Sequence, residues 1–120
     1  MNEYYWERAF SVVAKSAPVK SSVQKINLVA ALVRGDKVSN ALLQLKFCKR
    51  KVADDLGRVL QSAVSNAENN FGMDVDKLYI DKILVGKAFT LKRFKARAKG
   101  RAGRIQKPFS RVSIFVYERD

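Results

Sequence analysis

The chain contains no histidine. Ser-His-Asp and Cys-His nucleophilic sites, histidine general bases and histidine-containing zinc centres are therefore excluded together. Cysteine occurs once, at Cys48, which rules out an intramolecular disulfide or a multi-cysteine metal site and fits a reducing, intracellular setting. Long apolar runs are missing too: the longest, Leu28 to Val33, falls far short of a bilayer span, so no membrane insertion is expected. The start, Met1-Asn-Glu-Tyr-Tyr-Trp-Glu-Arg8, has acids where a secretory signal needs a basic region and an apolar stretch. Acids are scarce overall, with 11 Asp and Glu against 24 Lys and Arg and a formal net charge of +13. What remains is a chain of 120 residues, 48% hydrophobic, enough for one small domain with a core. Its excess positive charge calls for an anionic partner.

That charge is unevenly spread. Between Lys82 and Tyr117 there is no Asp or Glu, yet eleven basic residues fall there: Lys82, Lys87, Lys92, Arg93, Lys95, Arg97, Lys99, Arg101, Arg104, Lys107 and Arg111. The rest of the chain keeps thirteen basic residues against eleven acids and is nearly neutral. Arg93, Lys95, Arg97, Lys99 and Arg101 occupy every second position, separated by Phe94, Ala96, Ala98 and Gly100. In an extended strand such residues share one face, whereas on a helix they land on opposite sides. The spacing favours an extended conformation, although Lys, Arg and Ala also suit helices and only Gly100 and Gly103 argue locally against one.

Along the chain, Phe10 to Ala14 reads as a short strand broken by Pro18. Ser21 to Gln24 has the form of a capping box. Ile26, Val29, Ala30 and Val33 then predict a first helix from about Ser22 to Arg34, stopped by Gly35. Val38, Ala41, Leu42 and Leu45 suggest a second, from about Ser39 to Phe47. Val52, Leu56, Val59, Leu60, Ala63, Val64 and Ala67 form a clear stripe for a third, from about Arg50 to Asn70, ended by Phe71-Gly72. Leu78 to Val85 and Arg111 to Glu118 read as strands. If these two pair antiparallel, the basic segment between them is a hairpin with its turn near Lys99-Gly100. Each arm then reaches on the order of 40 Å. The expected organisation is a single domain over 1–120, with a body of about 8–85 and 112–120 and a basic β-hairpin of about 86–111.

Several apparent motifs have simpler explanations. Ser22-Val-Gln-Lys25 matches Ser-x-x-Lys, but its companion motifs are absent and the position is a helix start. Asp74-Val-Asp76 resembles a calcium loop, but Leu78 and Tyr79 occupy ligand and glycine positions, which leaves a solvated turn. Gly100-Arg-Ala-Gly103 lacks the Gly-Lys-Ser/Thr of a nucleotide loop. Asp54 and Asp55 diverge on a helix and cannot act as a pair. Cys48 reads as a small hydrophobe beside the second helix. Tyr4, Tyr5 and Trp6 either stack on bases or else pack on the body or fray. No metal site and no cofactor site emerges. The unopposed cations differ from an ordinary solvated face, which mixes signs, and their interleaved Phe89, Phe94 and Phe109 suit nucleic acid better than a membrane surface.

The sequence also resembles the bacterial large-subunit ribosomal protein twenty-two family, over about Val12 to Glu118. Three stretches carry the likeness: Lys20-Ser-Ser-Val-Gln-Lys25-Ile-Asn-Leu-Val-Ala-Ala-Leu-Val-Arg34-Gly35, Ser62-Ala-Val-Ser-Asn66-Ala-Glu68-Asn-Asn70, and Arg97-Ala-Lys-Gly-Arg-Ala102 with the strand from Arg111. Ala96 stands where the family usually has proline, and Arg111 where it often has histidine. The resemblance implies an α+β fold, three helices packed on a small antiparallel sheet with a long protruding β-hairpin. It implies no enzyme but a cytoplasmic structural constituent of the large ribosomal subunit that supports subunit assembly and translation. The body would sit near the tunnel exit on 23S rRNA, beside neighbouring large-subunit proteins. The hairpin tip, Arg97, Ala98, Lys99, Gly100, Arg101 and Ala102, would form part of the exit-tunnel wall and meet the nascent peptide. Leu91, Lys92 and Arg93 would lie on the arm near the macrolide region. Candidate rRNA-binding residues are Lys15, Lys20 and Lys25 on the body, with Lys87, Lys92, Arg93, Lys95, Arg97, Lys99, Arg101, Arg104, Lys107 and Arg111. The alternatives are a non-ribosomal basic nucleic-acid-binding module and, less well supplied with residues, a small enzyme. With no histidine, rRNA affinity is expected to be nearly flat from about pH 6 to 8 and steeply salt-dependent.

Overall fold

The computed structural model describes residues 11–96 and 102–119, with side chains over 11–90 and 107–119. The elements run β1 (Val12–Lys15), α1 (Val23–Val33), α2 (Val38–Phe47), α3 (Val52–Phe71), a 3-10 turn (Val75–Lys77), β2 (Leu78–Ala96) and β3 (Ala102–Glu118). All three helices lie within two residues of where their apolar spacing puts them. Phe10, read as the first residue of the first strand, lies outside the described residues, as do Tyr4, Tyr5 and Trp6.

Local chemistry sets the helix ends. Ser22, in extended backbone, is the N-cap of α1, and its hydroxyl accepts from the Lys25 N–H at 3.4 Å. The cap therefore falls one residue after the Ser21–Gln24 box read from the sequence. Ser21 is engaged elsewhere: its N–H donates to the Val19 carbonyl, and its own carbonyl accepts from the Ser110 hydroxyl at 2.7 Å. Gly72 closes α3 at φ 63°, where its N–H reaches the Ala67 and Glu68 carbonyls. A side chain would be strained in that left-handed conformation, so glycine suits the stop. Asp74-Val-Asp76 is a capped turn: the Asp74 carboxylate accepts from the Asp76 N–H at 3.0 Å.

The sheet has the order β1-β3-β2, antiparallel throughout. Val12 and Ala14 on β1, Leu78, Ile80 and Ile83 on β2, and Val112, Ile114 and Val116 on β3 are buried on one face. Against them pack Ile26, Val29, Ala30 and Val33 of α1, Val38, Ala41 and Leu45 of α2, and Ala53, Leu56, Leu60, Ala63 and Ala67 of α3. Each large aliphatic side chain buried this way contributes roughly 1.5–3 kcal/mol. Cys48, half-buried, packs against this core beside the end of α2, as a small hydrophobe would.

β2 keeps its apolar side inward only because of a bulge. Ile80 pairs with Val116 but Lys82 with Phe115, so Asp81 is an extra residue. That residue restores alternation and brings Ile83 opposite Ile114 on the buried face. A second irregularity lies between Lys87 and Phe89. Beyond it the ladder continues from Phe89↔Phe109 through Arg93↔Ile105 to Ala96↔Ala102. The two strands read from the sequence are thus the inner portions of 19- and 17-residue strands. The long axis measures 65 Å, against 30 and 26 Å.

Candidate nucleic-acid interface

The loop between β1 and α1 is strapped to the place where β3 leaves the body. The Ser16 N–H donates to the Val112 carbonyl at 2.8 Å, and the Val112 N–H donates to the Ser16 hydroxyl at 3.0 Å. Val19 and Ser110 exchange backbone bonds at 2.8 and 2.9 Å. Ser110 is 1% exposed, so its hydroxyl bond to the Ser21 carbonyl is made out of water. Unpaired at that depth, the carbonyl would cost about 1–3 kcal/mol. These bonds fix Lys20 and the first turn of α1 against the root of the two long strands.

Lys20 there meets a second basic element. The link between α2 and α3 carries Lys49, Arg50 and Lys51, all exposed. Lys20, Ser21, Lys25, Val29, Arg50, Lys51, Val52 and Asp55 line a cleft of 420 Å³. A neighbouring hollow of 360 Å³ shares Lys20 and Asp55 with it and adds Arg58. Five cations therefore surround one carboxylate in an open trough, and the free N–H groups at the start of α1 add partial positive charge. Such a trough attracts phosphate and repels other cations.

The structure brings Lys20 and Lys25 together and leaves Lys15 elsewhere. Lys15 ends β1 opposite Ser113, exposed on the sheet face without helices. Lys87 is exposed opposite Ser110, Arg111 is exposed opposite Gly86, and Lys107 is half-buried opposite Leu91. Leu91, Lys92, Arg93, Lys95 and Arg104 all take register positions in the ladder. Arg97, Ala98, Lys99, Gly100 and Arg101, read as the tip, lie outside the described residues, and Ala102 is the first residue of β3. The alternation of Arg93 and Lys95 thus falls in extended backbone, as the spacing requires.

Arg50, Lys51 and Arg58 do not stand out in the sequence. Nothing local distinguishes them from an ordinary helix start, and only the strapped loop brings Lys20 to them. Arg34 serves the fold instead: its guanidinium donates to the Ile83 carbonyl at 2.9 Å and to the Asn27 side-chain oxygen at 3.0 Å, tying α1 to β2. Among the described residues no group of three His, Cys, Asp or Glu could hold a metal ion. No helix there is long and apolar enough to cross a membrane.

The family model for ribosomal protein L22p/L17e matches residues 14–117. The chain is 48% identical over 105 residues to the large ribosomal subunit protein uL22 of Maricaulis maris, which covers 88% of this chain and 83% of that one. To uL22 of Ehrlichia chaffeensis it is 48% identical over 108 residues, 90% of this chain and 95% of that one. To uL22 of Methylorubrum populi it is 53% identical over 100 residues, 83% and 79% respectively.

Proposed function

The chain belongs to the ribosomal protein L22p/L17e family, and on that premise we propose that it holds folded 23S rRNA through two adjoining cationic regions. It is a structural constituent of the large subunit of the cytoplasmic ribosome, not an enzyme. The first region is the trough of Lys20, Lys25, Arg50, Lys51 and Arg58 on the body. The second is the ribbon, about residues 86–111, with Lys87, Lys92, Arg93, Lys95, Arg97, Lys99, Arg101, Arg104, Lys107 and Arg111. Lys15 adds a contact on the opposite sheet face. The body, about 8–85 and 112–120, docks near the tunnel exit beside neighbouring large-subunit proteins. Arg97 to Ala102 contributes to the exit-tunnel wall and meets the nascent peptide, and Leu91 to Arg93 lies behind it on the arm.

One observation supports this most: the strap at Val19, Ser21 and Ser110 puts the trough at the root of the ribbon, so the two basic regions are continuous. Counterion release along a path of this length supplies the affinity and offsets the cost of ordering the ribbon. Each phosphate contact should lower log affinity by about 0.7–0.9 per log unit of salt. Density-gradient sedimentation of cell extract tests the assignment: the chain should travel with large subunits. Recovery only with small subunits or in the soluble pool would overturn it. In filter binding to 23S rRNA, Lys25→Glu with Lys51→Glu should reduce the salt slope, because it removes two trough cations.

A further inference from the structure

Where the ladder leaves the body, the sheet face without helices carries an unusual group of side chains. Phe89 and Phe109 are directly opposite and stacked, with ring centroids 4.7 Å apart and planes at 19°. Phe89 nevertheless remains 42% exposed. Two pairs further in, on the same face, Gly86 is opposite Arg111, and a side chain at Gly86 would meet no atom within 4 Å. Beyond that pair, Leu84 is 52% exposed. Leu84, Gly86 and Phe89 succeed one another on this face of β2, since their partners Ser113, Arg111 and Phe109 are alternate residues of β3. The missing side chain at Gly86 therefore leaves a bay with an aliphatic wall, an aromatic wall and an exposed guanidinium at its side.

We propose that this bay receives an unpaired nucleobase of RNA, stacked on the Phe89–Phe109 pair, with Arg111 holding an adjoining phosphate. The proposal rests on the RNA-binding reading above and names the part of the ligand this patch takes. An aromatic pair that stacks leaves its outer ring surface for a third π-system. Every nucleobase supplies such a face, and every nucleotide supplies an anion beside it. The surroundings favour that occupant over an apolar protein surface. Lys107 and Arg111 lie on this same face within two ladder positions of the ring pair, and no acid occurs between Lys82 and Tyr117.

The test uses the full chain and two short probes of equal length, an oligoadenylate and an abasic ribose-phosphate oligomer. The unaltered protein should bind the oligoadenylate about tenfold more tightly, as one good base–aromatic stack would give. Phe89→Leu should remove most of that preference and leave abasic affinity unchanged, while Phe89→Trp should keep it. Gly86→Val fills the bay without touching the rings and suits a strand better than glycine, so it reports even if Phe89→Leu folds poorly. It too should abolish the preference. A 2-aminopurine in place of one adenine should be quenched on binding the unaltered protein and not on binding Gly86→Val. Equal affinity for both probes, or an unchanged preference in Phe89→Leu and Gly86→Val, overturns the base-stacking site. If 23S rRNA is still bound in either case, the ribosomal reading stands. Loss of binding to 23S rRNA and both probes alike overturns both.

Discussion

β2 and β3 form one antiparallel ladder with two very different halves. From Leu78 to Val85 and Val112 to Glu118, the strands bury Leu78, Ile80, Ile83, Val112, Ile114 and Val116 beneath three helices. From Phe89 to Ala96 and Ala102 to Phe109 the register continues pair by pair. There the sequence turns from aliphatic to cationic. The backbone bonding is the same in both halves, so the hydrogen-bond pattern cannot be what separates them. A bond exchanged with water gains only about 1 kcal/mol net, and an isolated two-stranded ribbon is marginal. The inner half draws its stability from its own core. On the proposed reading, the outer half draws it from a polyanion.

The largest effect expected from this contrast concerns binding. Excising residues 88–109 and joining Lys87 to Ser110 through an Asn-Gly turn keeps the inner ladder and closes it with a favoured hairpin. It removes Lys92, Arg93, Lys95, Arg97, Lys99, Arg101, Arg104 and Lys107. Affinity for 23S rRNA in filter binding should fall by about a thousandfold or more near physiological salt, while the melting temperature moves by less than about 5 °C. A collapse of the melt on excision would break the comparison. Next is the core: Leu60 is 0% exposed, and Leu60→Ala should cost about 2–5 kcal/mol in urea unfolding. Rocking the joint between the halves should have a smaller effect. Ser110→Ala strands the Ser21 carbonyl and should cost about 1–3 kcal/mol, with a modest loss of rRNA affinity as Lys20 loses its anchorage. Smallest is the cap: Ser22→Ala should cost about 0.5–1 kcal/mol by the same unfolding measurement, since its hydrogen bond is long.

What could be read from the residues follows the range of the forces involved. The α3 stripe is a local period, and Gly72 is a local stop, so both ends of that helix were within reach. The cap of α1 falls one residue later than its sequence pattern predicts, because Ser21 and Ser22 look alike in sequence. What separates them is Ser110, 89 residues away, which claims the Ser21 carbonyl. Asp81 could not be recognised as a bulge, because the extra residue exists only relative to β3. Of the cationic alternation, Arg93 and Lys95 lie in extended backbone as their spacing predicts, while Arg97, Lys99 and Arg101 lie outside the described residues. Alongside Lys15, the resemblance names Lys20 and Lys25 as body contacts. Their grouping with Arg50 and Lys51 depends on the folding of the β1–α1 loop onto β3, which no local pattern reveals.

β3 is both the middle strand of the sheet and one rail of the ribbon. No break in its pairing separates the two roles, apart from the irregularity between Lys87 and Phe89 on its neighbour. A pull along the ribbon axis is therefore delivered straight into the strand flanked by β1 and β2. Such a load shears many backbone bonds at once instead of peeling them one after another. The body should consequently act as a mechanical anchor, able to resist a tug on the finger far better than the stability of the finger alone would suggest.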